Sequence, residues 1–280
     1  MELHANAKLN LFLNIEKKLD NGYHDLETIL LPIDLHDIIH INPIEENKII
    51  ITTNNLEVPT DEKNTLYKCA ELMKNNFNIH DGVKIHLNKQ IPLSAGLGGE
   101  STDAAALMHF YDTYYNLRLN YSDVFHYGRL ISWDVPTCFY NKCFHISGNK
   151  GICNVINTKF NYYILLVQPD FRISTKEAFE EIDKCQLKIF NSDELLKNLL
   201  AGNKIKSGLF NCFIYSNEKL HLEYKKLCTY SEILGFDAVS MSGTGSCFFL
   251  LTKDINIAQK GFLELSKQYK FVKISSTIKL

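Results

Sequence analysis

The sequence predicts an α+β fold arranged in two domains, and three observations carry that expectation. Ala7 to Ile15 and Val83 to Lys89 alternate polar and apolar residues with the period of half-buried strands, while Thr65 to Phe77 sets Leu66, Ala70, Met73 and Phe77 at helical spacing. A strand, a proline, a glycine-rich loop and a helix-forming run follow one another between Val83 and Asn116. Tyr162 to Gln168 is an apolar strand that stops at Pro169 and opens a second series of strands and helices, which sets a soft boundary between domains of residues 1–158 and 159–280.

Taken in order, the first strand carries Lys8, Asn10 and Asn14 on one face and Leu9, Leu11 and Leu13 on the other. Asn21-Gly22 signals a turn. Asp37 to Ile44 and Lys48 to Thr53 read as a paired strand unit, ahead of the helix over 65–77 and the strand over 83–89. Helices are expected from Ser101 to Asn116 and from Ser122 to Ser132, then a short strand pair around Thr137 to Ser147. The second half carries helical patterns within 174–182, 192–200, 216–233 and near 254–268. Its strands are expected at Tyr162 to Gln168, Phe236 to Met241, Ser246 to Thr252 and near 271–277.

Composition excludes several function classes. A formal charge of −2 supplies no broad basic surface, so nucleic acid is not an expected partner. The eight Cys form no Cys-x-x-Cys pair and have no zinc spacing with His, so they read as reduced thiols, with no metal or nucleophilic role assigned. Cys247, inside an apolar run, reads as a small buried hydrophobe. Met1 to Asn10 shows no leader pattern and no apolar stretch approaches membrane-spanning length. A soluble, cytoplasmic protein with no membrane or evident protein partner is the expectation.

The most informative segment is Pro92-Leu93-Ser94-Ala95-Gly96-Leu97-Gly98-Gly99-Glu100-Ser101-Thr102. Its glycines allow sharp turns and close approach to a ligand, and Ser101 and Thr102 stand where a helix N-terminus would offer unpaired amides to an anion. It is not a Walker A loop, because no Lys follows the glycines, and Ser101 replaces the third glycine of the dinucleotide fingerprint. Alone it reads equally as a phosphate cradle or as a connection chosen for geometry. Four further segments, each bland in isolation, are Ala7-Lys8-Leu9-Asn10, Asn21-Gly22-Tyr23-His24, Trp133-Asp134-Val135-Pro136 and Ser242-Gly243-Thr244-Gly245-Ser246. The last is either a tight turn or a second glycine surface against a ligand.

In this order and spacing the five segments resemble the GHMP kinase superfamily, whose phosphate loop runs Pro-x-x-x-Gly-Leu-Gly-Ser/Gly-Ser-Ser. The resemblance extends over essentially the whole chain, and Ala7 to Leu11, Asn21 to His24, Asp134 to Pro136 and 242–245 are similar to the branch that acts on a cytidine-diphosphate-linked substrate. It implies a ribosomal S5 domain 2-like N-terminal domain and a ferredoxin-like C-terminal domain, with ligands in the cleft between them. It also implies ATP with Mg²⁺ as phosphate donor, and the 2-hydroxyl of a cytidine-diphosphate-linked branched polyol of isoprenoid-precursor synthesis as acceptor.

By the same resemblance Asp134 takes the hydroxyl proton and Lys8 stabilises the transferring phosphoryl group. Residues 92–102 hold the triphosphate. Asn10 orients the hydroxyl, and Tyr23, His24 and Phe179 form the cytosine site. Another GHMP kinase, acting on homoserine or mevalonate, and a nucleotide-binding homologue without catalysis are the alternatives. The chain departs from the pattern at Glu100, where a third glycine is usual, at Trp133 and Thr137-Cys138, and at Gly148-Asn149-Lys150-Gly151, which lacks the acid of a Gly-x-Gly-Glu segment.

Overall fold

The computed structural model describes residues 1–20, 22–148, 152–185 and 190–278. It resolves the chain into two compact units, each assembled from separate segments: Met1–Ala7, Leu35–Pro92 and Gly98–Asn141 in the first, and Lys8–Asp34, Leu93–Leu97 and Lys142–Leu280 in the second. Two long strands, β1 (Glu2–Lys18) and β2 (His24–Ile44), supply residues to both. Sequence reading found only the middle of β1 and the end of β2. Residues 27–33 are buried without interruption, which erases the alternation, and Pro32 argues locally against a strand.

In the first unit β1 and β2 are joined by β3 (Ile49–Thr53) and β4 (Gly82–Asn88). β4 pairs antiparallel with β2, placing His86 opposite His40, and parallel with β3. Four helices complete the unit: α1 (Thr65–Asn76), α2 (Gly99–Tyr114), α3 (Tyr121–Ile131) and α4 (Val135–Tyr140). Ile39, Ile41, Ile85 and Leu87 from the strands meet Leu66, Met73, Leu107, Met108 and Phe110 from the helices in one core. α4 replaces the start of the expected strand pair around 137–147. Pro136, near its first position, is preorganised for a helix and forfeits no hydrogen bond there.

The second unit holds β5 (Phe144–Ser147) on β2, β6 (Ile152–Val155) on β5, and a four-stranded antiparallel sheet. That sheet comprises β7 (Tyr163–Gln168), which α5 (Thr175–Ile182) and α6 (Asp193–Ala201) follow in the chain, and three later strands. The short β8 (Phe210–Asn211) runs parallel to β1, and α7 (Phe213–Ser216) and α8 (Glu218–Leu234) come next. β9 (Ala238–Met241), β10 (Phe248–Thr252), α9 (Ile255–Leu265) and β11 (Phe271–Ser276) complete the strand order β11-β7-β10-β9. This is the ferredoxin-like order, with β7 and β10 central and β10 buried along its whole length. β8 and α7, each too short for a periodic signature, have no counterpart in the sequence reading.

All eight cysteines are free, and burial pushes the Cys247 thiol up to about 12. Among the described residues no helix is long and apolar enough to cross a membrane.

Candidate active site

In the first unit the second half of the glycine loop becomes a helix end. Gly98 lies in the left-handed region at φ 72° and is the N-cap of α2, which begins at Gly99 instead of the expected Ser101. The first intrahelical bond runs from the Thr102 amide to the Gly98 carbonyl at 2.9 Å, so the amides of Gly99, Glu100 and Ser101 precede the helical ladder. α1, α3 and α5 are capped by the side chains of Asn64, Asn120 and Ser174, whereas Gly98 has none to offer. The positive end of this helix is therefore open to an anion.

The hydroxyls flanking those amides differ. Ser101 Oγ lies 2.9 Å from Ser132 Oγ, while Thr102 Oγ1 donates to the Gly99 carbonyl at 3.0 Å and is spent inside the helix. Glu100 is exposed, in the first turn, where its charge favours the helix dipole. Asp134 is the N-cap of α4 but makes no side-chain cap bond. It stands at a helix start. The Ser101–Ser132 contact ties the open end of α2 to the segment that carries Asp134. Trp133, 60% exposed, receives the Arg129 guanidinium over its ring at 4.9 Å.

In the second unit the first half of the loop is held by its carbonyls. Leu93 O accepts from Gln168 Nε2, Ser94 O from the Ser246 amide, Ala95 O from the Cys247 amide, Gly96 O from Ser242 Oγ and Leu97 O from the Lys8 amide, at 2.9–3.3 Å. Five consecutive carbonyls, each repulsive to phosphate, are thus engaged by the protein. Gly96 is required here by backbone packing: a Cβ would lie 2.1 Å from the Ser242 carbonyl oxygen. The Ser242–Ser246 turn presents its backbone and glycines to this loop.

Lys8 and Asn10 sit beside that packing, both buried. Lys8 Nζ donates to Asn10 Oδ1 at 2.7 Å; the same oxygen accepts from the Gly243 amide at 2.9 Å, and Asn10 Nδ2 donates to Thr28 Oγ1 at 2.8 Å. Ser242, Gly243 and Thr28 went unassigned in the sequence reading. The signal for Ser242 and Gly243 was the late Ser-Gly-Thr-Gly run, but Thr28 had none.

The expected nucleobase residues also fall in this unit. Tyr23 is 58% exposed, on the turn whose Asn21 lies outside the described residues. His24 and Phe179 are brought together, ring centroids 4.8 Å apart, and Phe179 also packs edge-on against Phe213 at 5.1 Å. His24 Nε2 lies 2.6 Å from Asp183 Oδ1, and Lys18 bonds the other oxygen. An ionised carboxylate only accepts, so Nε2 carries a proton and donates it, which leaves Nδ1 free of this bond. The hydrogen bonds from Lys18 and then His24 hold the Asp183 carboxyl below the usual range. Asp183 was not foreseen, although its spacing of four from Phe179 puts both on one helix face. Residues 149–151 of the shortened Gly-x-Gly segment lie outside the described residues.

Comparison with known proteins follows the same lines. Residues 64–142 match the family described as GHMP kinases N terminal domain. A 4-diphosphocytidyl-2-C-methyl-D-erythritol kinase of Clostridium tetani is 34% identical, covering 99% of this chain and 100% of the relative. One from Caldicellulosiruptor saccharolyticus is 39% identical over 72% of this chain and 70% of its own length. A crystal structure of 4-(cytidine 5'-diphospho)-2C-methyl-D-erythritol kinase superposes with a TM-score of 0.86 over all of both chains, at 24% identity, which establishes the fold.

Proposed function

Because the chain belongs to the 4-diphosphocytidyl-2-C-methyl-D-erythritol kinase family of GHMP phosphotransferases, we propose that it transfers the γ-phosphoryl group of ATP to the 2-hydroxyl of 4-diphosphocytidyl-2-C-methyl-D-erythritol. The carrying observation is the full-length match to a kinase of that name at 34% identity. On this reading the N-terminal 158 residues hold ATP and acceptor, residues 159–280 form the C-terminal kinase domain, and the protein works in the cytoplasm on small molecules.

Asp134 accepts the hydroxyl proton as oxygen attacks phosphorus, and general-base catalysis of this kind contributes about 10²–10⁴-fold. Lys8 holds negative charge developing on the phosphoryl oxygens, with its ammonium aimed by Asn10. Asn10 Nδ2 has one hydrogen engaged by Thr28, and its second is the one for the acceptor hydroxyl. The amides of 99–101 hold the triphosphate, residues 92–97 frame it, and Ser101 adds its hydroxyl. Tyr23 and Phe179 stack on cytosine, worth roughly 1–3 kcal/mol per base, while His24 Nδ1 reads its edge.

Mg²⁺ enters with ATP. Among the described residues no group of three or more His, Cys, Asp or Glu side chains is placed to cage a metal. Mg²⁺ takes one or two protein oxygens beside phosphates. Ser101, in the first turn of α2, would be a suitable donor, and the ion would neutralise charge on the triphosphate.

An ADP-release assay with the cytidylyl alcohol, homoserine and mevalonate tests the reading. Turnover only with the cytidylyl alcohol is expected. Turnover with homoserine or mevalonate, or ATP binding without turnover on any of the three, would overturn it.

A further inference from the structure

The strand that feeds the phosphate loop ends in a buried ion cluster that the chemistry above leaves unused. Lys89 Nζ bonds Asp37 and lies 3.0 Å from Asp103 Oδ2, and the three side chains are 4%, 0% and 3% exposed. Asp37 Oδ1 also accepts the amides of Gln90 at 2.5 Å and Ile91 at 2.8 Å. Asp103 belongs to α2, one turn beyond its first residue. A Cβ on Gly99 would come within 3.0 Å of Lys89 Nζ. The cluster therefore grips the chain where it leaves the sheet and again at the first turns of α2.

Stability does not account for this arrangement. Removing ions from water costs several kcal/mol each, and well-packed apolar side chains often replace buried ion pairs without loss. The partner set is also incomplete, because Asp103 Oδ1 is buried without a hydrogen-bond partner. One cation faces two carboxylates, and burial, with Asp37 nearby, pushes the Asp103 carboxyl up against the pull of Lys89. Such a cluster is a poor source of folding energy but a stiff geometric link. It fixes the first turn of α2 against the end of β4 through directed bonds, which apolar packing would leave free to slide.

We propose that Lys89, bridging Asp37 and Asp103, is a positioning residue that sets the first turn of α2 so that the amides of Gly99, Glu100 and Ser101 meet the triphosphate. This rests on the reading that α2 receives ATP.

The test is ADP affinity by calorimetry, with steady-state KM for ATP and for the cytidylyl alcohol. Lys89→Met combined with Asp103→Asn removes the link without stranding a like-charged pair. It should weaken ADP binding and raise KM for ATP by about tenfold, the loss of one well-aimed anion contact, while KM for the alcohol stays within about twofold. Lys74→Met is the control: this buried lysine of α1 bonds the Asp81 carbonyl, so its loss should lower the melting temperature and leave ADP affinity unchanged. Should the double variant fail to fold, Asp103→Asn alone carries the same readout, with ADP expected about threefold weaker. A folded variant that binds ADP as wild type does, or a Lys74→Met loss of equal size, overturns the proposal. Wild-type protein that does not bind ADP would overturn the ATP reading beneath it.

Discussion

The two halves of the glycine loop look alike in sequence and serve different physical ends. In residues 93–97 five carbonyls are bonded by the protein and Gly96 exists because another backbone passes at contact distance. From residue 98 onward the glycine reverses the chain into a left-handed turn, has no side chain to cap with, and leaves the amides of 99–101 ahead of the helical ladder. One half is built by satisfying polar groups and the other by leaving them open. A glycine-rich loop is therefore not uniformly a ligand surface.

Substitutions can break that contrast. Gly96→Ala carries the largest expected effect. It combines φ 73° with a clash at 2.1 Å on backbone, so strain and overpacking together should cost about 3–5 kcal/mol and lower the melting temperature sharply. Ser242→Ala comes next. It leaves the Gly96 carbonyl and the Asn10 amide without their partner, for a loss of about 1–3 kcal/mol in urea unfolding. Gly98→Ala should cost about 1–2 kcal/mol from the left-handed turn alone, and should also weaken ATP binding, which Ser242→Ala changes less. Glu100→Gln has the smallest effect: ATP binding about two- to threefold tighter at low salt, with the gain gone at about 1 M salt, where exposed charges are screened.

The cluster of Lys18, His24 and Asp183 contributes a pH signature outside the loop. Asp183 is held below its ordinary range when folded. Its contribution is present above the unfolded carboxyl value and lost as pH falls through the lower folded one. Asp183→Asn should therefore destabilise at neutral pH and become nearly silent in strong acid, as thermal melts across that range would record.

How much could be read from the sequence follows from which interactions are local. Lys8, Asn10, the loop, Tyr23-His24 and Asp134 stand in contiguous motifs, so the sequence alone can single them out. The start of α2 was misplaced by two residues because serine is the more usual cap signal and Gly98 caps without a side chain. β2 was half missed because a strand buried on both faces loses its period. Ser242 on Gly96, Asp183 on His24 and Lys89 on Asp37 are pairings across 146, 159 and 52 positions, which no local pattern encodes.

Asp134→Asn gives the most direct measurement of the central claim, that this chain is a kinase whose base is Asp134. The substitution removes charge with little change in shape. Turnover on the cytidylyl alcohol is expected to fall by about 10²–10⁴-fold while ADP affinity stays within about twofold of wild type. Turnover within a few-fold of wild type would contradict that claim.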